Sequence, residues 1–152
     1  MKQLKSKPIE QIEEEAEKDL ALRIDRTEED QAKTPSLHHK YHKQYRLVKT
    51  ELIQAGNSLL KLRREKWFYY TGKAKPRMYD PKVGGKPLNH KIMKSDIKMV
   101  IDSDDEVIKA TYNVEMIDMK LKFIREKMDT INRRSYEINN IIKTMYFKHG
   151  IS

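Results

Sequence analysis

The chain has 152 residues, 36% charged and 38% hydrophobic, with 5 Gly, 5 Pro and no Cys. That length suits one domain with a real core, and the polar, Gly-poor composition suits long exposed helices better than a compact sheet protein. Without Cys, disulfides, thiolate zinc sites and cysteine nucleophiles are excluded, and no run approaches transmembrane length. The basic N-terminus leads into an acidic segment, not an apolar signal region, so the expectation is a soluble intracellular protein in a reducing cytoplasm.

A net charge of +9 and a pI near 9.5 point to a polyanionic partner. The charge is uneven. Residues 1–32 carry 6 basic and 10 acidic side chains, residues 33–91 carry 15 and 3, and residues 92–152 carry 11 and 10. The excess therefore belongs to the middle third.

Taken in order, residues 8–27 read as an amphipathic helix. Ile9, Ile12, Ala16, Leu20, Arg23 and Thr27 recur at steps of three and four, with Glu13 to Glu17 mostly on the other face. Thr34-Pro35 has the form of a helix start, Thr as N-cap and Pro at the first helical position, and Thr71-Gly72 has the form of a stop. Between them Tyr41, Tyr45, Val48, Leu52, Ala55, Leu59, Leu62, Lys66 and Tyr69 make a heptad seam, which predicts a helix over 35–72, about 54 Å long. It ends on Lys61-Leu62-Arg63-Arg64-Glu65-Lys66-Trp67-Phe68-Tyr69-Tyr70, cations running into four aromatics. Cations neutralise phosphates and aromatic faces stack on bases, so the run suits single-stranded nucleic acid. Trp67, Tyr69 and Tyr70 are the candidates for stacking, with Trp67 expected instead in the core. The bland alternative is a helix end with core aromatics and a solvated cationic face.

Residues 73–91 form a connector with six Lys or Arg against the single Asp80, expected to be a mobile basic loop. Ser95 is placed to cap a short helix to Ile101, and Ser103 with Glu106 has the capping-box pattern. From there a helix is predicted over 104–149, about 65 Å long. Val114, Ile117, Leu121, Ile124, Met128 and Ile131 lie on its main apolar line, and Tyr112, Met116, Met119 and Phe123 on a second. Two apolar faces imply two neighbours, one within the subunit and one in another copy; the main line is taken as the oligomerisation seam.

No catalytic constellation emerges. His38, His39 and His42 lack a third ligand and the Glu of a catalytic zinc motif. Gly84-Gly85-Lys86-Pro87 lacks the Ser or Thr and the Gly spacing of a P-loop. Asp102, Asp104 and Asp105 precede a helix, where capping accounts for them better than Mg²⁺. No enzyme, metal or cofactor is expected, and the Met residues of the last helix read as packing filler.

The order and spacing of several short motifs resemble the UvsY family, the recombination mediators of tailed bacteriophages. They are Ile24-Asp25, Leu37-His38-His39-Lys40-Tyr41, Lys66-Trp67-Phe68-Tyr69-Tyr70-Thr71-Gly72-Lys73-Ala74, Lys94-Ser95-Asp96-Ile97 and Asn132-Arg133-Arg134-Ser135-Tyr136-Glu137-Ile138. The resemblance runs from about Lys18 to Gly150. It implies an all-α protein of long heptad-patterned helices, bundled within a ring-like homo-oligomer. It also implies a non-enzyme that binds single-stranded DNA and helps load a RecA-like phage recombinase onto strands coated by the phage single-stranded DNA-binding protein. Its place would be the cytoplasm of an infected bacterial host, in recombination, repair and recombination-dependent replication. The family's basic pair before the Tyr-Tyr element falls on Arg64 and Lys66. With Arg63, Lys73, Lys75, Tyr69 and Tyr70 they make the expected DNA-binding set. The chain departs from the family in the run Arg63-Arg64-Glu65-Lys66 and in a Gly- and Pro-containing insert, Arg77 to Leu88. The rival reading is a coiled-coil adaptor without specific nucleic-acid binding, and RNA stays open as a ligand.

Overall fold

The computed structural model describes residues 5–150; residues 1–4, 151 and 152 of the expected 1–152 domain lie outside the described residues. Four α-helices follow one another: α1 (Ile9–Leu20), α2 (Thr27–Tyr70), α3 (Ile97–Asp102) and α4 (Asp105–Lys148). There is no strand among the described residues. α2 and α4 have 44 residues each, which at ~1.5 Å per residue makes each roughly 66 Å long. The chain divides into two compact units, Met1–Glu51 with Ile117–Ser152, and Leu52–Met116.

In the first unit the core is apolar and comes from three helices. Ile12 and Ala16 of α1, Leu37, Tyr41 and Val48 of α2, and Leu121, Ile124, Ile131 and Ile138 of α4 are all buried. α1 ends at Leu20, earlier than the predicted Thr27, because Ala21 turns extended at ψ 124° and the Asp30 carboxylate takes the Arg23 N–H at 3.0 Å. Arg23 and Thr27 fit the helical period, but a polar pair on that line had no core to reach.

α2 begins at Thr27 and runs through Pro35, so residues 27–34 are helical and Thr34 is not a cap. Glu28, Glu29 and Asp30 in the first turn match the helix dipole. Proline inside a helix removes one backbone bond, a cost of about 3 kcal/mol. Burial on both sides offsets it. Asp30 is buried against Arg134, 3.6 Å away, and Leu37 and Tyr41 enter the core. Thr34 Oγ1 donates back to Asp30 O at 3.3 Å and Ser36 Oγ to Lys33 O at 2.9 Å.

The expected oligomerisation seam needs correcting. Leu121, Ile124 and Ile131 are 4%, 0% and 1% exposed within this one chain, and Val114, Ile117 and Met128 are half-buried. That line already has its neighbours in the subunit. The second line stays open over most of its length: Tyr112, Met116 and Met119 are exposed, as is Ile108 one turn earlier, while Phe123 is half-buried.

The second unit joins the end of α2 to α3 and the start of α4, with Ile101 and Val107 buried. Here Asp104 is the cap. Its Oδ1 accepts the N–H groups of Glu106 and Val107 at 3.0 and 3.4 Å. Ser103 Oγ donates instead to Val100 O, and Ser95 Oγ to Asp96, so neither serine N-caps a helix. The Asp104 carboxylate, one residue nearer the helix, takes the capping position that the Ser103–Glu106 spacing advertised.

The connector 73–91 is folded and not an open linker. Two 3-10 turns, Pro76–Met78 and Pro81–Val83, are closed by Asp80, which accepts the Lys82 N–H at 2.9 Å, and by Gly84 at φ 82°. Gly85 fits because a Cβ there would meet backbone of Arg77 at 2.5 Å and of Asp80 and Met78 at 2.7 Å. Tyr79 pins the connector to α2: its hydroxyl donates to Tyr69 O at 2.8 Å and accepts the Ala74 N–H at 3.2 Å, while its ring stacks on Tyr69.

Candidate nucleic-acid interface

α2 stops at Tyr70 because Gly72 takes the left-handed conformation, φ 71°. The Gly72 and Lys73 N–H groups then bond back to Tyr69 O and Phe68 O at 3.1 and 2.8 Å, which satisfies carbonyls at the helix end. This reverses the chain beside the last two turns of α2 and brings the cations of both stretches together. From Lys61 to Lys98 the sequence holds 12 basic and 3 acidic residues, all within the second unit.

The expected cations meet different surroundings. Lys66 is half-buried, with its ammonium 3.1 Å from Asp104 and 3.3 Å from Glu106. Desolvation disfavours its charge, but the two carboxylates outweigh that and hold its pKa above the ordinary lysine value. Asp104 is the mirror case. Desolvation pushes its pKa up, yet the Tyr70 hydroxyl at 2.6 Å and the Lys66 ammonium bring it below the ordinary value. Burial first, then Asp104, pushes the Tyr70 phenol up. Lys66 therefore sits in a knot with Tyr70 and the α4 cap. Arg63 is also engaged, 2.6 Å from Asp102. Arg64, Lys73 and Lys75 are exposed and make no ion pair among the described residues.

The aromatics divide in the opposite sense to the expectation. Tyr69 and Tyr70 are half-buried, Tyr69 donating to Lys86 O at 2.8 Å and Tyr70 to Asp104. Trp67, expected in the core, is 39% exposed. The Lys73 ammonium lies over its indole, 4.8 Å from the ring centroid.

An open groove of about 1060 Å³ runs beside this helix end. It brings together Arg63, Arg64, Tyr70 and Lys73 of the expected set, while Lys66, Tyr69 and Lys75 do not line it. Trp67, Lys91, Lys94 and Lys98, outside that set, line it as well. The 3- and 4-residue spacing of those lysines is a usable signal for one cationic face. No group of metal-ligating side chains occurs among the described residues.

A family model described as the recombination, repair and single-stranded-DNA-binding protein UvsY matches residues 15–151. Three crystal structures of the bacteriophage T4 recombination mediator protein UvsY, in different lattices, are similar in fold. One aligns with a TM-score of 0.81 at 20% identity, covering 94% of this chain and 98% of that one. The others give 0.79 at 20% identity, covering 91% and 98%, and 0.75 at 19%, covering 93% and 99%. Curated protein sequences give no significant match.

Proposed function

The chain belongs to the UvsY family, and from that premise we propose that it is a non-catalytic recombination mediator that binds single-stranded DNA. In this reading it works as a ring-like homo-oligomer in the cytoplasm of an infected bacterial host. It promotes loading of a RecA-like phage recombinase onto strands coated by the phage single-stranded DNA-binding protein. The observation that carries the proposal is the concentration of 12 basic against 3 acidic residues between Lys61 and Lys98, at the end of α2 and the connector folded against it.

Arg64, Lys73 and Lys75 are the phosphate contacts in this reading, because their charges are not matched within the second unit. Arg63 and Lys66 reach a strand only by exchanging carboxylates for phosphates. Each subunit then offers a modest site, and a ring raises avidity through effective concentration without new contacts. A strand distributed over many weak sites is held, yet each site can be surrendered singly to a recombinase.

The test is fluorescence anisotropy with labelled single-stranded and duplex DNA of equal length over a salt series. The expected result is preference for the single strand and a log–log salt slope of roughly −0.7 per phosphate contacted. Equal or negligible binding to both would overturn the proposal in favour of a coiled-coil adaptor.

A further inference from the structure

The groove at the end of α2 contains an aromatic that phosphate contacts leave without a role. Tyr69 and Tyr70 are committed to Lys86, Tyr79 and Asp104. Trp67, unlike Tyr70, lines the groove with an exposed side chain, and its indole is the largest aromatic surface there beside the smaller imidazole of His90. Half-buried Leu88 and Ile97 line the same groove, so part of the lining is apolar, and exposed Lys91, Lys94 and Lys98 line it as well. An aromatic face beside apolar lining and surrounded by cations is complementary to a nucleobase carried on a phosphate backbone.

We propose that Trp67 is a nucleobase platform. One unpaired base of a bound strand stacks on its indole in the groove, with neighbouring phosphates held by Arg64 from α2, by Lys94 just before α3 and by Lys98 of α3. The inference rests on the single-strand reading and adds which side chain takes a base. Lys73 occupies the indole face in the free protein. A surface cation–π contact is weaker than base stacking, and an arriving phosphate draws the ammonium off the ring, so the base and its phosphate displace Lys73 together. A base inside a duplex is paired and stacked on its neighbours, and cannot enter. The platform thereby discriminates single strand from duplex, which the cations alone do not.

Trp67 is the only tryptophan in the chain, so its emission reports this groove without ambiguity. The full-length protein is titrated with labelled oligo(dT) and with a labelled oligomer of equal length made of abasic sites, following anisotropy and tryptophan emission together. Oligo(dT) is expected to quench the emission to saturation, and the abasic oligomer to bind without comparable quenching. Trp67→Ala is expected to weaken oligo(dT) binding on the order of tenfold per engaged base, leaving abasic binding and the salt slope unchanged. Trp67→Phe should recover part of the loss. Binding of oligo(dT) without quenching, at an affinity that Trp67→Ala does not alter, overturns the platform and leaves the single-strand reading standing. Failure of the wild-type protein to bind either oligomer overturns the single-strand reading and the platform with it.

Discussion

Arg64 and Lys66 stand two residues apart on one helix, about 200° around its axis, and their surroundings differ accordingly. Arg64 projects into the groove with no carboxylate partner among the described residues, whereas Lys66 faces Asp104 and Glu106. A cation that already neutralises two carboxylates contributes less to strand binding and more to folding. Arg64→Ala is therefore expected to lower the salt slope for single-stranded DNA by about 0.7 with the melting temperature unchanged. Lys66→Ala leaves the nearly buried Asp104 carboxylate with only Tyr70 and two backbone N–H groups, and is expected to destabilise by roughly 1–3 kcal/mol. Thermal melts and anisotropy on the two variants check this. A melting temperature unaffected by Lys66→Ala would show that Lys66 is free to serve a strand.

At the scale of elements, the helices were legible where apolar residues recur and illegible where they stop recurring. α4 came out of its unbroken three-and-four spacing, and the end of α2 out of Gly72. The start of α2 did not, because residues 27–33 are polar and hold their helix through Asp30 and Arg134, a pairing over a hundred residues apart in sequence. Proline at 35 then imitated a start signal. The connector failed for a related reason: its Gly and Pro residues signal loop, but what folds it is one side chain, Tyr79, reaching the carbonyl of Tyr69. Gly85 tests that account. An added methyl would meet three backbone groups, none of which can rotate away. Gly85→Ala is expected to lose the Gly85–Asp80 and Lys86–Met78 backbone bonds and to destabilise by about 1–3 kcal/mol. Amide hydrogen exchange at residues 78–86 reads it, and unchanged protection there would mean the connector is not held as described.

For the whole molecule, the charge separation seen in sequence has a structural counterpart in how the acids are used. In the first unit Glu15 and Asp19 of α1 are matched by Lys7 and Lys40, at 2.6–2.7 Å, so those acidic groups find partners within their own unit. The cations from Lys61 to Lys98 are only partly matched in theirs. Apolar surface follows the same logic. The buried line of α4 is satisfied inside the subunit, and the exposed line through Ile108, Tyr112, Met116 and Met119 is not. A stripe of that kind on one helix is what a second copy would cover if the proposed ring forms. Tyr112→Glu with Met116→Glu puts two charges on the stripe without touching the buried positions. Analytical ultracentrifugation should then show a shift to smaller species with helical content by circular dichroism retained. Single-strand affinity should fall steeply as multivalency is lost, while the weak affinity of one subunit's groove persists. Retention of the wild-type sedimentation coefficient would place the subunit contact elsewhere and detach avidity from this face of α4.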